Sequence, residues 1–457
     1  MKRLIAAGVV ILAAIPVSLS AGPSAVSEPP PNVLLIVTDD QPKGTEDAMP
    51  QLRAQIASQG VTFTNGVTPT ALCCPSRSSL LTGNQSHTTG VYDIVNGANG
   101  GWKAFHDRGA EATTLATQLD ALGYHTGLFG KYLNGYNQGA PQGYVPPGWD
   151  TFRAIEANSG VDGTYYDYTL TGLPTSYGGT AADYSTDVTG ALAAQFITET
   201  PADTPFLVVY TPFAPHSPHT PAKRDQGTWP VETTAGIPAF NEANISDKPA
   251  WVADNPLVSA STQADRLRRQ HMALMSVDDA IASLFTAAGD RITNTVVVFM
   301  SDNGLMLGSH RITEKDVPYV AASEVPMYVR WDGHITPGSS TDRVTPQIDL
   351  TALIRDATGV TGWSMDGTNP LTTPRDGVAF EQIKRNAHPA YCGWRTKNYL
   401  YTKYSGTAGR EFYNYLTDPK ELTNVVSRAG YSYLVSSHRA NAMTECSPVP
   451  PGFKWGP

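Results

Sequence analysis

Basic residues are scarce in this chain, and so are charged residues in general. Lysine and arginine number 32 against 41 aspartates and glutamates, which gives a formal net charge of −9, and charged residues make up 16% of the 457 positions. A nucleic-acid-binding protein needs a basic surface to displace counterions, so we expect no nucleic-acid partner. An anionic small substrate stays open, because a few cations in one cleft set the local potential.

Cysteine is also rare, with four residues in the whole chain. Cys392 and Cys446 both lie in the C-terminal part and are able to pair if the protein is exported. Cys73 and Cys74 are adjacent, and a disulfide between neighbours would be strained. The adjacent pair therefore requires another explanation.

Apolar runs that approach the length of a membrane span are missing except at the N-terminus. Lys2 and Arg3 precede a mostly apolar stretch from Leu4 to Leu19, and small residues follow it. This pattern predicts a secretory signal peptide over residues 1–25. A membrane anchor is the alternative, but the run is short for a span, which takes about 20 apolar residues. We expect a secreted or periplasmic protein, lysosomal only in a eukaryote, with no membrane contact after signal cleavage.

Several buried strands are predicted, and helical segments alternate with them. Continuous apolar runs rich in β-branched residues indicate strands that are covered on both faces. The pattern predicts an α/β domain with its site at the carboxyl edge of the sheet. The predicted strands are 32–38, 61–65, 125–129, 206–210, 295–300 and 326–330, and the predicted helices are 50–58, 113–122 and 267–285.

Two further regions have a different texture. Residues 136–181 are rich in glycine and tyrosine and have weak periodicity, so we predict long loops there that shape a substrate mouth. After Asp366 short strands are predicted at 377–382, 399–404 and 411–415. We therefore expect a catalytic domain over residues 30–366 and a small antiparallel C-terminal subdomain over residues 367–457.

The most informative stretch is LCCPSRSSLLTG, residues 72–83. Its Cys-x-Pro-x-Arg core followed by Leu-Leu-Thr-Gly resembles the signature of the formylglycine-dependent sulfatases. The resemblance covers nearly the whole mature chain and is greatest to the N-acetylglucosamine-6-sulfatase branch. It implies an alkaline-phosphatase-like sandwich with a large central mixed sheet flanked by helices. The other matching segments are NVLLIVTDDQ, GKYLN, APHSPHTP, SDNGLMLGSH with Lys315 beyond it, and EFYNYLTDPKELTN.

Cys73 on its own is open to the ordinary interpretation of a buried structural thiol. Within the Cys-x-Pro-x-Arg core, the resemblance implies that a formylglycine-generating enzyme oxidises it to an aldehyde. The aldehyde hydrates to a geminal diol, of which one hydroxyl attacks sulfur and the other later helps to expel sulfate. We therefore expect formylglycine at position 73.

Oxygen ligands follow two of the predicted strands. Asp39 and Asp40 end the first strand, and Asp302 and Asn303 follow the strand at 295–300. Carboxylates with an amide oxygen suit Ca²⁺, and Mg²⁺ is the second choice because it demands near-octahedral geometry. Asp and Asn also favour ordinary turns, but two matching pairs favour a metal site. We expect one calcium ion, with the residue at Cys73 beside it.

A third set of residues is cationic: Arg77, Lys131, His216, Lys315 and His310. Fixed donors around a sulfate ester stabilise the charge that builds up on attack. By resemblance, Arg77 orients the nucleophile, and Lys131 and Lys315 contact sulfate. His216 is expected to protonate the leaving alcohol. His219 is a secondary candidate, and His310 is expected either to touch substrate or to be structural.

One position departs from the family pattern. Many sulfatases have a histidine two residues after the lysine that matches Lys131, and Leu133 stands here instead. The expected activity is hydrolysis of a sulfated sugar, such as an N-acetylglucosamine-6-sulfate, or of an aryl sulfate. The alternatives are a phosphonate monoester or phosphodiester hydrolase and, if Cys73 is unmodified, a non-catalytic calcium-stabilised carbohydrate-binding protein.

Overall fold

The protein is described from a computed structural model that covers residues 29–160 and 162–456. The predicted signal peptide, residues 1–25, lies outside the described residues. The strands are β1 (Asn32–Thr38), β2 (Val61–Phe63), β3 (Gly66–Val67), β4 (His125–Gly130), β5 (Thr151–Ala157), β6 (Tyr168–Leu170), β7 (Ser176–Tyr177), β8 (Phe206–Thr211), β9 (Thr295–Ser301), β10 (Met327–Arg330), β11 (Ser339–Thr341), β12 (Thr345–Pro346), β13 (Gly377–Gln382), β14 (Tyr391–Thr396), β15 (Tyr399–Tyr404) and β16 (Arg410–Asn414).

The helices divide into long ones that cover the sheets and short ones in the connections. The α-helices are α1 (Cys73–Thr82), α2 (Ser86–Thr89), α3 (Gly101–Asp107), α4 (Leu115–Asp120), α5 (Tyr136–Gly139), α6 (Ser185–Glu199), α7 (Ala250–Ala253), α8 (Ala260–Ala288), α9 (Val320–Ser323), α10 (Gln347–Thr358) and α11 (Ser432–Glu445). The predicted helix at 50–58 is a π-helical turn at Leu52–Ile56 followed by a 3-10 turn at Ala57–Gln59.

Ten strands form one mixed sheet in the order β11-β2-β10-β9-β1-β8-β4-β5-β6-β7. At its centre β1 lies parallel to both β8 and β9, with Leu35 opposite Val209 and Val298. β10 runs antiparallel to β9. The expected central mixed sheet is therefore confirmed, and β1, β8 and β9 end at the same edge.

Both faces of the sheet are covered, which explains why β1 is apolar from Val33 to Val37. Leu35 and its alternate neighbours pack in one core cluster with α1, α3, α4 and α10, whereas Leu34 and Ile36 pack in the other with α6 and α8. Alternating side chains point to opposite faces, so a strand with two covered faces has no polar positions to spare.

By length and composition alone, one helix of the described chain, Ala260–Asn294, could span a membrane. Its most apolar window is 61% buried inside the structure. The helix packs against α6 and the central sheet, as a core helix of an α/β domain does.

The prediction of long loops over residues 136–181 was wrong in part. β5, β6 and β7 lie within this region and extend the sheet beyond β4. β5 is parallel to β4, and β6 and β7 follow as antiparallel strands. Edge strands of two or three residues give too short a pattern to be found by periodicity.

The C-terminal part forms a separate four-stranded antiparallel sheet, β13-β14-β15-β16, against which α11 packs. This confirms the expected antiparallel sheet, although β14 was not predicted, while the domain limits at 366 and 367 stay a prediction. Cys392 and Cys446 are free, buried and members of one apolar cluster. The structure thus brings the two thiols together without a bond between them.

Candidate active site

The carboxyl ends of β1 and β9 bring two pairs of polar residues to one place. Asp39 and Asp40 follow β1, and Asp302 and Asn303 follow β9. The backbone N–H of Asp302 donates to the carbonyl of Thr38 over 3.0 Å, and the N–H of Asp40 donates to Oδ1 of Asp302 over 3.1 Å. Parallel neighbours end at the same edge, so residues 262 positions apart in sequence meet directly.

Cys73 is the first residue of α1, and its thiol lies beside these carboxylates. Its Sγ atom is 3.4 Å from Oδ1 of Asp39 and 3.8 Å from Oδ1 of Asp40. Pro75 in the first turn needs no intrahelical N–H partner, and Gly83, with φ 73°, ends the helix in the left-handed conformation. The motif therefore places Cys73 at a fixed point, 2% exposed.

Arg77 and Lys131 neutralise the deepest carboxylates. Arg77 donates from Nε to Oδ2 of Asp302 over 2.7 Å and from Nη1 to the carbonyl of Lys131 over 3.0 Å. Lys131 donates from Nζ to Oδ2 of Asp39 over 2.5 Å. Both cations and the carboxylates that they contact are buried. An unpaired charge there would cost stability, so each ion pair offsets the cost of burying its two charges.

Lys315 contacts both the thiol and the second carboxylate. Its Nζ atom donates to Oδ1 of Asp40 and lies 2.9 Å from Sγ of Cys73. The loop after β9 thus brings a second lysine to the site, as the sequence predicted for this residue.

His216 stands at the opening of the site. Its Nε2 atom is 3.5 Å from Oδ2 of Asp40, and 28% of its side chain is exposed, against 5% for that aspartate. Its Nδ1 faces the carbonyl of Ser217 at 2.8 Å, which leaves Nε2 toward the cluster. Its neighbour His219 is buried and donates from Nδ1 to the carbonyl of Pro215 over 2.6 Å.

Burial and neighbouring charges shift the pKa values of Asp39, Asp302 and His219. Burial by itself favours the neutral acid, but Lys131, His216, Arg77 and Lys315 together hold the pKa of the Asp39 carboxyl well below its usual range. Burial, with Asp39 nearby, raises the pKa of Asp302. Burial lowers the pKa of His219 to about 4, so this histidine is neutral at physiological pH.

The site fits a hard cation. Asp39, Asp40, Cys73 and His216 each offer a ligand atom, and these atoms lie within 4.8 Å of one another. Oδ1 of Asn303 is buried and has no hydrogen-bond partner. Carboxylate oxygens with one unsatisfied amide oxygen are the ligands that Ca²⁺ takes. Asp302 belongs to the same cluster, although both of its oxygens already accept hydrogen bonds.

His310 is enclosed by carboxylates, which favours the structural one of its two expected roles. Its Nδ1 is 2.6 Å from Oε2 of Glu242, and its Nε2 is 3.9 Å from Oε2 of Glu421. The ring is buried beside Tyr319. Both ring nitrogens thus face carboxylates of neighbouring segments, as in a histidine that joins parts of the fold.

Leu133 lies in the apolar core on one face of the central sheet. It is fully buried in the apolar cluster that α1 and α3 share. Among the described residues, His216 is the histidine that contacts the carboxylates beside Cys73.

Sequence reasoning missed two sets of neighbours. Asp316, next to Lys315, pairs with Arg385 over 2.8 Å and also with His388, both from the β13–β14 connection. Gln270, on α8, donates to the carbonyl of Asp40 over 3.1 Å. No local pattern marks these residues, because their partners lie 69 to 230 positions away.

The fold is shared with solved structures of low sequence identity. One is a structure in complex with its substrate D-glucosamine-2-N,6-O-disulfate, with a TM-score of 0.73, 19% identity, and coverage of 92% of this chain and 98% of that one. Another is the phosphonate monoester hydrolase of Agrobacterium radiobacter, with a TM-score of 0.70, 18% identity, and coverage of 92% and 96%. The fold thus defines an alkaline-phosphatase-like α/β protein with its site at the strand ends.

Sequence similarity narrows this class. The family described as Sulfatase matches residues 31–360. The N-acetylglucosamine-6-sulfatase of Capra hircus is 32% identical over 406 residues, which are 85% of this chain and 68% of that protein. The chain belongs to the sulfatase family and is a sulfuric ester hydrolase.

Proposed function

We propose that this chain hydrolyses the sulfate monoester of a sulfated amino sugar, similar to N-acetylglucosamine-6-sulfate, with a formylglycine made from Cys73 and one bound Ca²⁺. One observation carries the proposal. The Sγ atom of Cys73, inside the Cys-x-Pro-x-Arg motif, lies 3.4 Å from a carboxylate oxygen of Asp39 and 2.9 Å from Nζ of Lys315.

The formylglycine hydrate at position 73 supplies two hydroxyl groups, one to attack sulfur and one whose proton loss later releases sulfate. Asp40 and Lys315 both contact the side chain at this position. A carboxylate accepts a proton from the attacking hydroxyl, and the ammonium group stabilises the negative oxygens of the sulfuryl group. The position has the polar partners that a diol needs.

Four residues and the side chain at position 73 are proposed to hold the cation: Asp39, Asp40, Asp302 and Asn303. When bound, Ca²⁺ would neutralise charge on the sulfate oxygens. Arg77 holds Asp302 and the Lys131 carbonyl, and Lys131 holds Asp39, so the carboxylates keep their positions during the reaction. Lys131 and Lys315 are proposed to contact the sulfate.

His216 is proposed as the general acid. Its imidazole, 28% exposed, is more exposed than the Lys315 side chain, at 12%, so it lies where the alcohol part of a substrate would leave. As the bond between sulfur and the ester oxygen breaks, Nε2 gives its proton to that oxygen. Overall, the ester and one water become the alcohol and sulfate.

The preference for an amino sugar rests on similarity. The related goat enzyme is an N-acetylglucosamine-6-sulfatase, and a neighbour in fold was solved with a disulfated glucosamine. The N-terminal pattern of residues 1–25 supports export to the cell exterior, where sulfated polysaccharides occur. Maturation by a formylglycine-generating enzyme is proposed to precede secretion.

The test uses full-length protein co-expressed with a formylglycine-generating enzyme. Its tryptic peptide 54–77, which ends at Arg77, is expected to carry the aldehyde or its hydrate at Cys73 by mass spectrometry. Turnover of N-acetylglucosamine-6-sulfate and of nitrophenyl sulfate is then measured. Cys73→Ala is expected to abolish both, and Cys74→Ala, on the adjacent residue, to preserve both.

The same preparation separates the rival activity. The phosphonate monoester hydrolase shares the fold at 18% identity. A phenylphosphonate monoester turned over as fast as the sulfate esters would favour that class. Full activity with only a thiol at Cys73 would contradict the proposed nucleophile.

A further inference from the structure

Asp40 has a backbone conformation that L-residues rarely adopt. Its φ is 62°, in the left-handed region. In an extended strand, consecutive side chains point to opposite faces. Here the carboxylates of Asp39 and Asp40 both lie beside Sγ of Cys73, at 3.4 Å and 3.8 Å. The left-handed turn at Asp40 therefore makes the convergence of two successive carboxylates possible.

The turn is held at its three neighbouring backbone groups. The N–H of Asp40 donates to Asp302, and the N–H of Gln41 donates to Oγ of Ser301 over 2.9 Å. Both acceptors come from the end of β9. The carbonyl of Asp40 accepts from Nε2 of Gln270 over 3.1 Å, and this donor comes from α8, 230 residues away.

Gln270 is fully buried, and its side chain makes no other hydrogen bond among the described residues. Its Oε1 has no partner, and a buried unsatisfied acceptor costs stability. Nε2 must face the carbonyl, because Oε1 in that place would oppose another acceptor. A methionine would fill similar space without an unpaired polar atom, so what the glutamine adds here is its bond to Asp40.

α8 is also hydrogen-bonded to the chain beyond the Asp40 turn. Two turns beyond Gln270, Asp278 accepts the backbone N–H groups of Gln51 and Leu52, each over 2.8 Å. The helix therefore presents the Gln270 amide from a position that is anchored independently of the site.

We propose that Gln270 is a positioning residue that holds the left-handed turn at Asp40 and so sets the calcium affinity of the site. It rests on the proposed function only for the identity of the cation. Without this donor, the Asp40 peptide can rotate toward the extended conformation, which moves its carboxylate away from Asp39.

The test compares two substitutions on the same helix in the full-length protein. Gln270→Met removes the donor, and Gln263→Met makes the same change at a buried glutamine whose partner is Arg266. Calcium is titrated into calcium-free protein at 25 °C by calorimetry. The Kd of Gln270→Met is expected to rise by about 10- to 100-fold, as for other outer-shell partners of metal ligands. Gln263→Met is expected to keep the wild-type value.

A wild-type Kd in folded Gln270→Met would overturn the inference, even if its Tm fell. So would an equal loss in both variants, or the absence of calcium binding in the wild type. If Gln270→Met does not fold, Gln270→Asn, which keeps an amide one methylene short of the carbonyl, takes its place. Gln270-dependent calcium binding in a protein that hydrolyses no sulfate ester would support this inference and defeat only the proposed function.

Discussion

The Nζ atom of Lys315 lies 2.9 Å from the Sγ atom of Cys73, and the same ammonium group donates to Asp40. One lysine thus connects the proposed nucleophile with a proposed metal ligand. Burial alone would lower the pKa of Lys315, but Asp40 and its neighbours hold it well above its ordinary value. The lysine therefore carries its positive charge at neutral pH.

Replacing Lys315 by methionine is expected to lower kcat on sulfate esters by about 10²–10³-fold, the usual loss for one donor that stabilises transition-state charge. The measurement is kcat and KM for nitrophenyl sulfate. Lys103→Met is the control, because Lys103 is exposed and pairs only with Asp107. An unchanged kcat in Lys315→Met would show that the ammonium group does not contact the reacting sulfate.

His216→Ala is expected to damage the hydrolysis of a sugar sulfate far more than that of nitrophenyl sulfate. A sugar alkoxide needs protonation to leave, whereas nitrophenolate leaves without it. General acid catalysis contributes about 10²–10⁴-fold, so kcat/KM for the sugar is expected to fall by that factor. His219→Ala, in the same loop, serves as control and is expected to affect both substrates equally. Equal losses in His216→Ala would assign it to binding.

Calcium removal is expected to lower Tm. Asp39 and Asp40 are buried together, and a cation that binds only the folded state at 100 times its Kd adds about 2.7 kcal/mol. Thermal unfolding is followed in EDTA and after addition of Ca²⁺ or Mg²⁺, with the larger increase expected for Ca²⁺. Asn303→Leu, which removes the unpartnered Oδ1, is expected to shrink that increase. Identical Tm values with and without Ca²⁺ would contradict the metal assignment.

His310 is expected to make stability depend on pH. Burial alone would lower its pKa, but the hydrogen bond to Glu242 and the nearby carboxylate of Glu421 raise it above its ordinary value. A raised folded pKa stabilises the protein fully below the unfolded value, and the contribution is lost as pH rises through the folded value. The Tm difference between wild type and His310→Gln is therefore expected to be largest near pH 5.5 and to shrink toward pH 9.

The control for this series is His334→Gln, at an exposed histidine. Its Tm difference from wild type is expected to be small at every pH. A His310→Gln difference that grows with pH would mean that the buried histidine is neutral in the folded protein.

Much of the site could be predicted because its signals are local. The apolar runs at β1, β8 and β9 are confirmed as strands, since a strand covered on both faces is apolar along most of its length, and the structure places the three side by side. Asp39 and Asp302 directly follow β1 and β9, which are parallel neighbours, so the two residues meet at the edge where these strands end. The Cys-x-Pro-x-Arg motif is also a local signal, because Pro75 favours the first turn of the helix that begins at Cys73 and Gly83 ends that helix.

The sequence by itself thus determined the family, the positions of the main strands along the chain and the polar residues that lie around Cys73. Tertiary structure alone decided the place of His310 between two glutamates, the exposure of His216, and the bond from Gln270 to Asp40. Those contacts join chain segments up to 230 residues apart. They depend on how helices and loops pack onto the sheet, and packing leaves no periodic pattern in the sequence of either partner.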